Sequence, residues 1–155
     1  MKILVPVDYS EHSRSVLGHA FRLSAMDPGE VCIVHVWETQ PRVPPNVKVT
    51  TPDGRTCTIA ELIAEEADGA MTQFLSTVKI PPGLAVARRI LSGAAADAIV
   101  REARERGTHL IVMGTQGRSG LGRLVLGSVA ERVLRTSPIP VLAVPTAPSV
   151  PEQGA

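Results

Sequence analysis

From residue 114 to residue 128 the chain reads GTQGRSGLGRLVLGS, five glycines in fifteen residues. Glycine lacks the Cβ that keeps an anion away from the main chain, so such a run can turn several backbone N–H groups into one concavity. Gly127 and Ser128 lie within a helical pattern carried by Val125, Leu126, Val129, Ala130, Val133 and Leu134. If the regular helix begins there, its N-terminus adds partial positive charge and Ser128 adds a hydroxyl donor. The chemistry these residue types suit is phosphate binding. Turn formation and close packing account for bare glycines equally well, and the segment alone leaves both readings open.

Other templates fit less well. Residues 122–128 imitate a P-loop in glycine spacing, but Ser128 follows Gly127 directly and the lysine that should stand between them is missing. After the first apolar run the chain reads Asp8-Tyr9-Ser10, not G-x-G-x-x-G, so a dinucleotide held in the usual way is not indicated. Leu121 stands where a nucleophile elbow around Ser119 needs glycine. The four histidines, His12, His19, His35 and His109, have no carboxylate at ligand spacing, which points to structural or surface roles and assigns no protein-only metal site. No catalytic residue is assigned either, because no general base or lysine clamp of the kind fast phosphoryl transfer uses is evident.

The elements that must position these residues alternate. Ile3, Leu4, Val5 and Val7 form one nearly continuous apolar run and residues 31–36 (VCIVHV) a second, as strands buried on both faces do. Between them Ser10 can cap a helix with Val16, Leu17, Ala20, Phe21 and Leu23 at helical spacing. Residues 39–55 are proline-rich and read as a surface excursion or flap. Thr58 then opens a long helix whose stripe is Ile59, Leu62, Ile63, Ala67, Ala70, Phe74 and Leu75. Residues 84–91 form a third strand, placed near a sheet edge by Arg88 and Arg89; residues 95–106 form a helix closed by Gly107. Residues 109–113 and 141–144 give two more strands. Strands alternating with helices imply an α/β, doubly wound parallel sheet with helices on both faces, whose ligands sit beyond the strands' carboxyl ends. Asp8 and Gly114 stand at those ends. Asp8 is also a candidate for helping Ser10 cap the first helix.

The chain's 155 residues suit one domain, here residues 1–146 with a disordered-looking tail at 147–155. A net charge of +1 and four aromatic residues disfavour nucleic acid as a partner. No apolar stretch reaches the length of a membrane span, and the opening run is too short for a signal peptide, which sets the expectation of a cytoplasmic protein. Two cysteines make neither a disulfide framework nor a zinc set; Cys32 reads as core packing and Cys57, beside the loop, as accessible.

The glycine segment resembles the universal stress protein family, whose ATP-binding members carry G-x2-G-x9-G-[ST]; Gly114, Gly117, Gly127 and Ser128 match every position. The likeness runs from Pro6-Val7-Asp8 and Ser10, through His35-Val36, to Leu126-Gly127-Ser128-Val129 and Pro140-Val141-Leu142-Ala143-Val144. It departs in the proline-rich loop after Trp37 and in the tail. The resemblance implies an open five-stranded sheet in the order 3-2-1-4-5, a homodimer through the edge strand Val141 to Val144, and an ATP site between the first and fourth strands. It implies that Val7 and Val36 meet adenine through backbone and apolar contact, that Pro6 belongs to the same ATP site, and that Asp8 accepts from ribose or adenine. Met113 and Gly114 would line the sugar side, and Gly117, Gly127, Ser128 and Val129 would give amides to the phosphates. Arg118 and Arg123 would add charge, and magnesium would accompany the ATP on its phosphates and one carboxylate. The function so implied is nucleotide-dependent regulation toward an unidentified protein partner, with slow hydrolysis or none. An ATP hydrolase or nucleotidyl transferase of the same fold, and a nucleotide-free dimeric scaffold, are the alternatives.

Overall fold

The computed structural model describes residues 1–38, 44, 46–116 and 126–146. Five strands make one parallel sheet: β1 (Lys2–Pro6), β2 (Glu30–Trp37), β5 (Ala85–Ser92), β6 (Leu110–Gly114) and β7 (Val141–Val144). Their order across the sheet is β5-β2-β1-β6-β7. Counting only these five along the chain, that is the expected 3-2-1-4-5.

The continuous apolar runs follow from this placement. In β1, Ile3 and Val5 enter a core with Val16, Leu17, Ala20 and Phe21 of α1 (Glu11–Met26) and with Met71 and Phe74 of α2 (Ile59–Ser76). Leu4, between them, points the other way, toward Ala96, Ile99, Val100 and Ala103 of α3 (Ala95–Glu105) and Ala130 and Val133 of α4 (Ser128–Thr136). A strand covered on both faces has no reason to alternate. Strand β5 lies at one edge, as its arginines suggest, and β7 at the other. At the end away from the strands' carboxyl termini, buried Glu102 pairs with Arg89 at 3.5 Å and Arg106 at 4.0 Å, and Arg106 also bonds Glu30.

Caps fall where local chemistry puts them. The Ser10 side chain accepts from the Ser13 amide, and Thr58 and Glu61 form a reciprocal capping box at the head of α2. Gly107, past the end of α3, adopts φ +61°, a conformation that favours glycine.

Four expectations need correction. The excursion over residues 39–55 is not loop throughout: β3 (Lys48–Thr50) and β4 (Thr56–Thr58) pair as an antiparallel hairpin. Its turn is Pro52-Asp53-Gly54, with Gly54 at φ +86° and Thr51 N–H donating to Arg55 O at 2.9 Å, so the polar turn residues prevail over the looseness that proline suggested. Cys57 is consequently buried in β4 and not accessible beside a loop. The stripe assigned to α2 also shifts: Leu62 is exposed, whereas Met71, outside the stripe, is fully buried with Ala67 and Phe74. Only the second half of that helix lies deep against the sheet. Leu126 and Leu134 of the last helical pattern are exposed, and Val125 lies outside the described residues, as does the tail 147–155.

Candidate functional site

Strand order reverses between β1 and β6, so the connections leaving their carboxyl ends diverge and leave a crevice. A cleft of about 390 Å³ lies there. Of the residues singled out by sequence, Pro6, Val7, Asp8, Val36, Met113, Gly114, Gly127, Ser128 and Val129 all line it. Gly117, Arg118 and Arg123 lie outside the described residues.

Asp8 follows the last residues of β1 and is fixed by the turn into α1. Its Oδ1 accepts from the Ser13 hydroxyl at 2.7 Å and from the Ser10 amide at 3.1 Å, while its own amide donates to Ser13 Oγ at 3.1 Å. Burial pushes the carboxyl pKa up, but the hydrogen bonds from Ser10 and Ser13 outweigh it and hold the group below its ordinary value, so the side chain is an anion near neutral pH. The cap itself is Ser10; Asp8 organises the turn before it and faces the cleft. Tyr9, in between, takes the left-handed φ of +65°, its ring stacked on His35 at 4.2 Å and its hydroxyl donating to Ala67 O at 3.3 Å. Such a conformation is unusual outside glycine and is kept here by contacts on several sides.

Val7 presents less backbone than the resemblance implies. Its amide donates to Val34 O at 2.8 Å and its carbonyl accepts from His35 Nδ1 at 2.8 Å. Toward the cleft it offers chiefly apolar surface, continued by Val36 from β2 and by Ala95 and Ile99 from α3. Glu38 stands at the rim beyond β2.

The opposite end is built by β6 and α4. Helix α4 starts at Ser128 with Gly127 as its cap residue. Gly127 N–H is engaged by Thr115 O at 2.6 Å, so it is not among the amides turned to the cleft, contrary to expectation. The first intrahelical bond runs from Glu131 N–H to Gly127 O, which places the amides of Ser128, Val129 and Ala130 before the helical ladder begins. Ser128, Val129 and Ala130 all line the cleft, so the head of α4, with its positive dipole end, forms one wall of it. Gly114 has a reason for lacking a side chain that the sequence does not disclose: a Cβ there would lie 2.6 Å from Cδ2 and 2.8 Å from Nε2 of His12.

His12, Ser13, His35, Thr115, Gln116 and Ala130 line the cleft without having been singled out. The available signals were position alone: His12 falls in the first turn of a helix that begins at the carboxyl edge of the sheet, and His35 breaks the apolar run of β2 near its carboxyl end. The assembled cleft is apolar at one end, anionic at Asp8 in the middle and rich in amide donors at the other. That gradient matches a flat, partly apolar group joined through hydroxyls to an anion. Among the described residues, no group of three or more His, Cys, Asp or Glu side chains is placed to hold a metal ion, and no helix is long and apolar enough to cross a membrane.

Comparison with known proteins agrees with this architecture. The pattern that defines the Universal stress protein family matches residues 1–145. The chain is 34% identical over 143 residues to Universal stress protein MJ0531 of Methanocaldococcus jannaschii, covering 92% of this chain and 81% of that protein. Among solved structures it is similar to hypothetical protein MJ0577, with a TM-score of 0.70 and 27% identity over 96% of this chain and 97% of the other. It shares the fold of the universal stress protein from Archaeoglobus fulgidus in complex with dAMP, at a TM-score of 0.59 and 23% identity over 92% and 96% of the two chains. The chain belongs to the universal stress protein family.

Proposed function

We propose that the cleft binds ATP and that occupancy serves regulation, not rapid chemistry. The observation that carries this reading is the polarity gradient of one crevice: apolar Val7, Val36 and Ile99 at one end, Asp8 between, and the amides of Ser128 and Val129 at the head of α4 at the other. Adenine would lie against the apolar wall, Asp8 would accept from a ribose hydroxyl, and the phosphates would take the donors at α4. Magnesium would arrive with the nucleotide, held mainly by phosphate oxygens, with Asp8 or Glu38 as the nearby carboxylate. The match of Gly114, Gly117, Gly127 and Ser128 to the ATP-binding pattern of the family supports the choice of ATP. The dAMP-bound relative is alike in fold, so the choice of ligand for this chain rests on the cleft and the pattern. The protein is read as a cytoplasmic homodimer paired through the outer edge of β7, which among the described residues has no strand on its far side in the sheet.

The test is thermal unfolding with ATP, ADP, AMP, NAD and no ligand. ATP at a hundred times its dissociation constant stabilises by ~2.7 kcal/mol, a rise of roughly 5 to 11 °C in Tm for a domain of this size. Gly127→Val, which sets a branched side chain beside Ser128 at the cleft wall, removes the shift. No response to any adenine nucleotide refutes the reading in favour of a nucleotide-free scaffold, and rapid steady turnover of ATP refutes the regulatory half in favour of a hydrolase.

A further inference from the structure

His12 lies in the first turn of α1, two residues after the Ser10 cap, and its ring enters the cleft against Gly114. Its Nε2 donates to the carbonyl of Val144, the last residue of edge strand β7, at 3.0 Å. The same oxygen accepts the amide of Thr115 at 3.0 Å, and the carbonyl of Thr115 accepts the amide of Gly127 at 2.6 Å. Two donors fill both lone pairs of the Val144 oxygen. The start of α4 is therefore tied, through Gly127 and Thr115, to a point that His12 holds from the opposite side of the cleft.

We propose that His12 is a positioning residue for the anion end of the cleft: its Nε2–H fixes Val144 O, and through Thr115 and Gly127 the place from which Ser128 and Val129 present their amides. The proposal rests on the nucleotide reading above. A histidine serving as a cation toward phosphates would act only while protonated, whereas Nε2–H donates to Val144 in the neutral ring and in the charged one. The two roles therefore separate experimentally. The apolar end of the cleft, built by β2 and α3, takes no part in this chain of bonds, so the influence of His12 falls on the phosphates and not on the base.

The experiment is calorimetric titration of the wild type, H12Q, H12M and H12N with ATP and, separately, with adenosine, between about pH 6 and pH 8. Glutamine keeps an N–H donor near the reach of Nε2, methionine keeps the bulk without the donor, and the asparagine amide stops short of Val144. The expected result is a roughly tenfold loss of ATP affinity in H12M and H12N, the size of one lost hydrogen bond. Adenosine affinity stays within about twofold, and H12Q recovers most of the ATP affinity. Equal loss for ATP and adenosine overturns the proposal by showing general loosening. So does failure of H12Q together with a wild-type ATP affinity that declines from about pH 6 to pH 8, which makes the ring a direct cationic ligand. If the wild type binds ATP and H12M and H12N bind it equally well, this inference alone falls; if the wild type binds neither ligand, the nucleotide reading falls and takes this with it.

Discussion

Replacing Gly114 by alanine tests whether that position is kept bare for the protein's own histidine. The added Cβ would sit 2.6 Å from Cδ2 and 2.8 Å from Nε2 of His12, roughly 1 Å inside the usual carbon–carbon contact. The backbone at Gly114 is not left-handed, so alanine brings no conformational penalty of its own and the whole effect is steric. The ring cannot turn aside without losing its bond to Val144 O at 3.0 Å. Overpacking of this kind costs about 1 to 3 kcal/mol, and surrender of the hydrogen bond is worth about 1 kcal/mol. For a domain near 150 residues, ~2 kcal/mol lowers Tm by roughly 4 to 8 °C. The decisive assay is a double-mutant cycle by urea denaturation. G114A destabilises the wild type by ~2 kcal/mol but costs well under 1 kcal/mol in an H12A background, where the methyl finds room, for a coupling of about 1 to 2 kcal/mol. If G114A is silent, or costs the same with and without His12, the packing argument is wrong. Loss of ATP binding by G114A with unchanged stability would instead make ligand approach the reason for the glycine.

Four further outcomes follow from the same geometry. Because hydrogen bonds hold the Asp8 carboxyl below its ordinary value of 3.8, its contribution to stability is complete above that pH and is lost as pH falls through the lower folded-state value; the stability difference between wild type and D8N, measured by urea titration, stays flat from about pH 5 to 8 and narrows below about pH 4. Thr58→Ala removes the capping box at the head of α2 and costs about 1 kcal/mol, seen as a Tm lower by roughly 2 to 4 °C. Both thiols resist alkylation in the native protein at about pH 8, Cys32 because burial pushes its pKa up to about 11 and Cys57 because it is buried in β4, and both react in urea; a native thiol reacting at the free rate contradicts the burial. Leu142→Arg, at an exposed position of β7, shifts the protein to monomer in sedimentation velocity if the edge pairs two copies, and leaves the sedimentation coefficient unchanged if it does not.

What could be read in the sequence was whatever one or two neighbouring residues decide. Ser10 and Thr58 start helices with their own side chains, Gly107 ends one with its own backbone, and the unbroken run at Ile3, Leu4 and Val5 reports a strand covered on both faces. The β3–β4 hairpin escaped because two three-residue strands carry almost no periodicity, although Pro52-Asp53-Gly54 is a turn signal in its own right. In α2 the pattern marks an apolar face without saying which turns of it reach the sheet, so Leu62 and Met71 exchanged roles. The cleft shows the same division. Residues at strand ends, Asp8 and Gly114 among them, follow from the rule that ligands gather where strand order reverses. His12 and His35 do not, because their meaning lies in acceptors distant in the chain, Val144 at the end of β7 and Val7 just past β1, that no local spacing announces.

The bond from His12 to Val144 spans 132 residues of chain. At ribosomal speeds of ~5 to 20 residues per second, the histidine waits roughly 7 to 26 s after its own synthesis before its acceptor exists. Strands β1 and β2 and helix α1 can associate in that interval, but the crevice they border lacks its far wall until β6 and α4 are made, and the bond from His12 waits for the last strand. A nascent or truncated polypeptide that ends before Val144 therefore lacks this tie, and closure of the His12 bond doubles as a signal that translation has reached the far edge of the sheet.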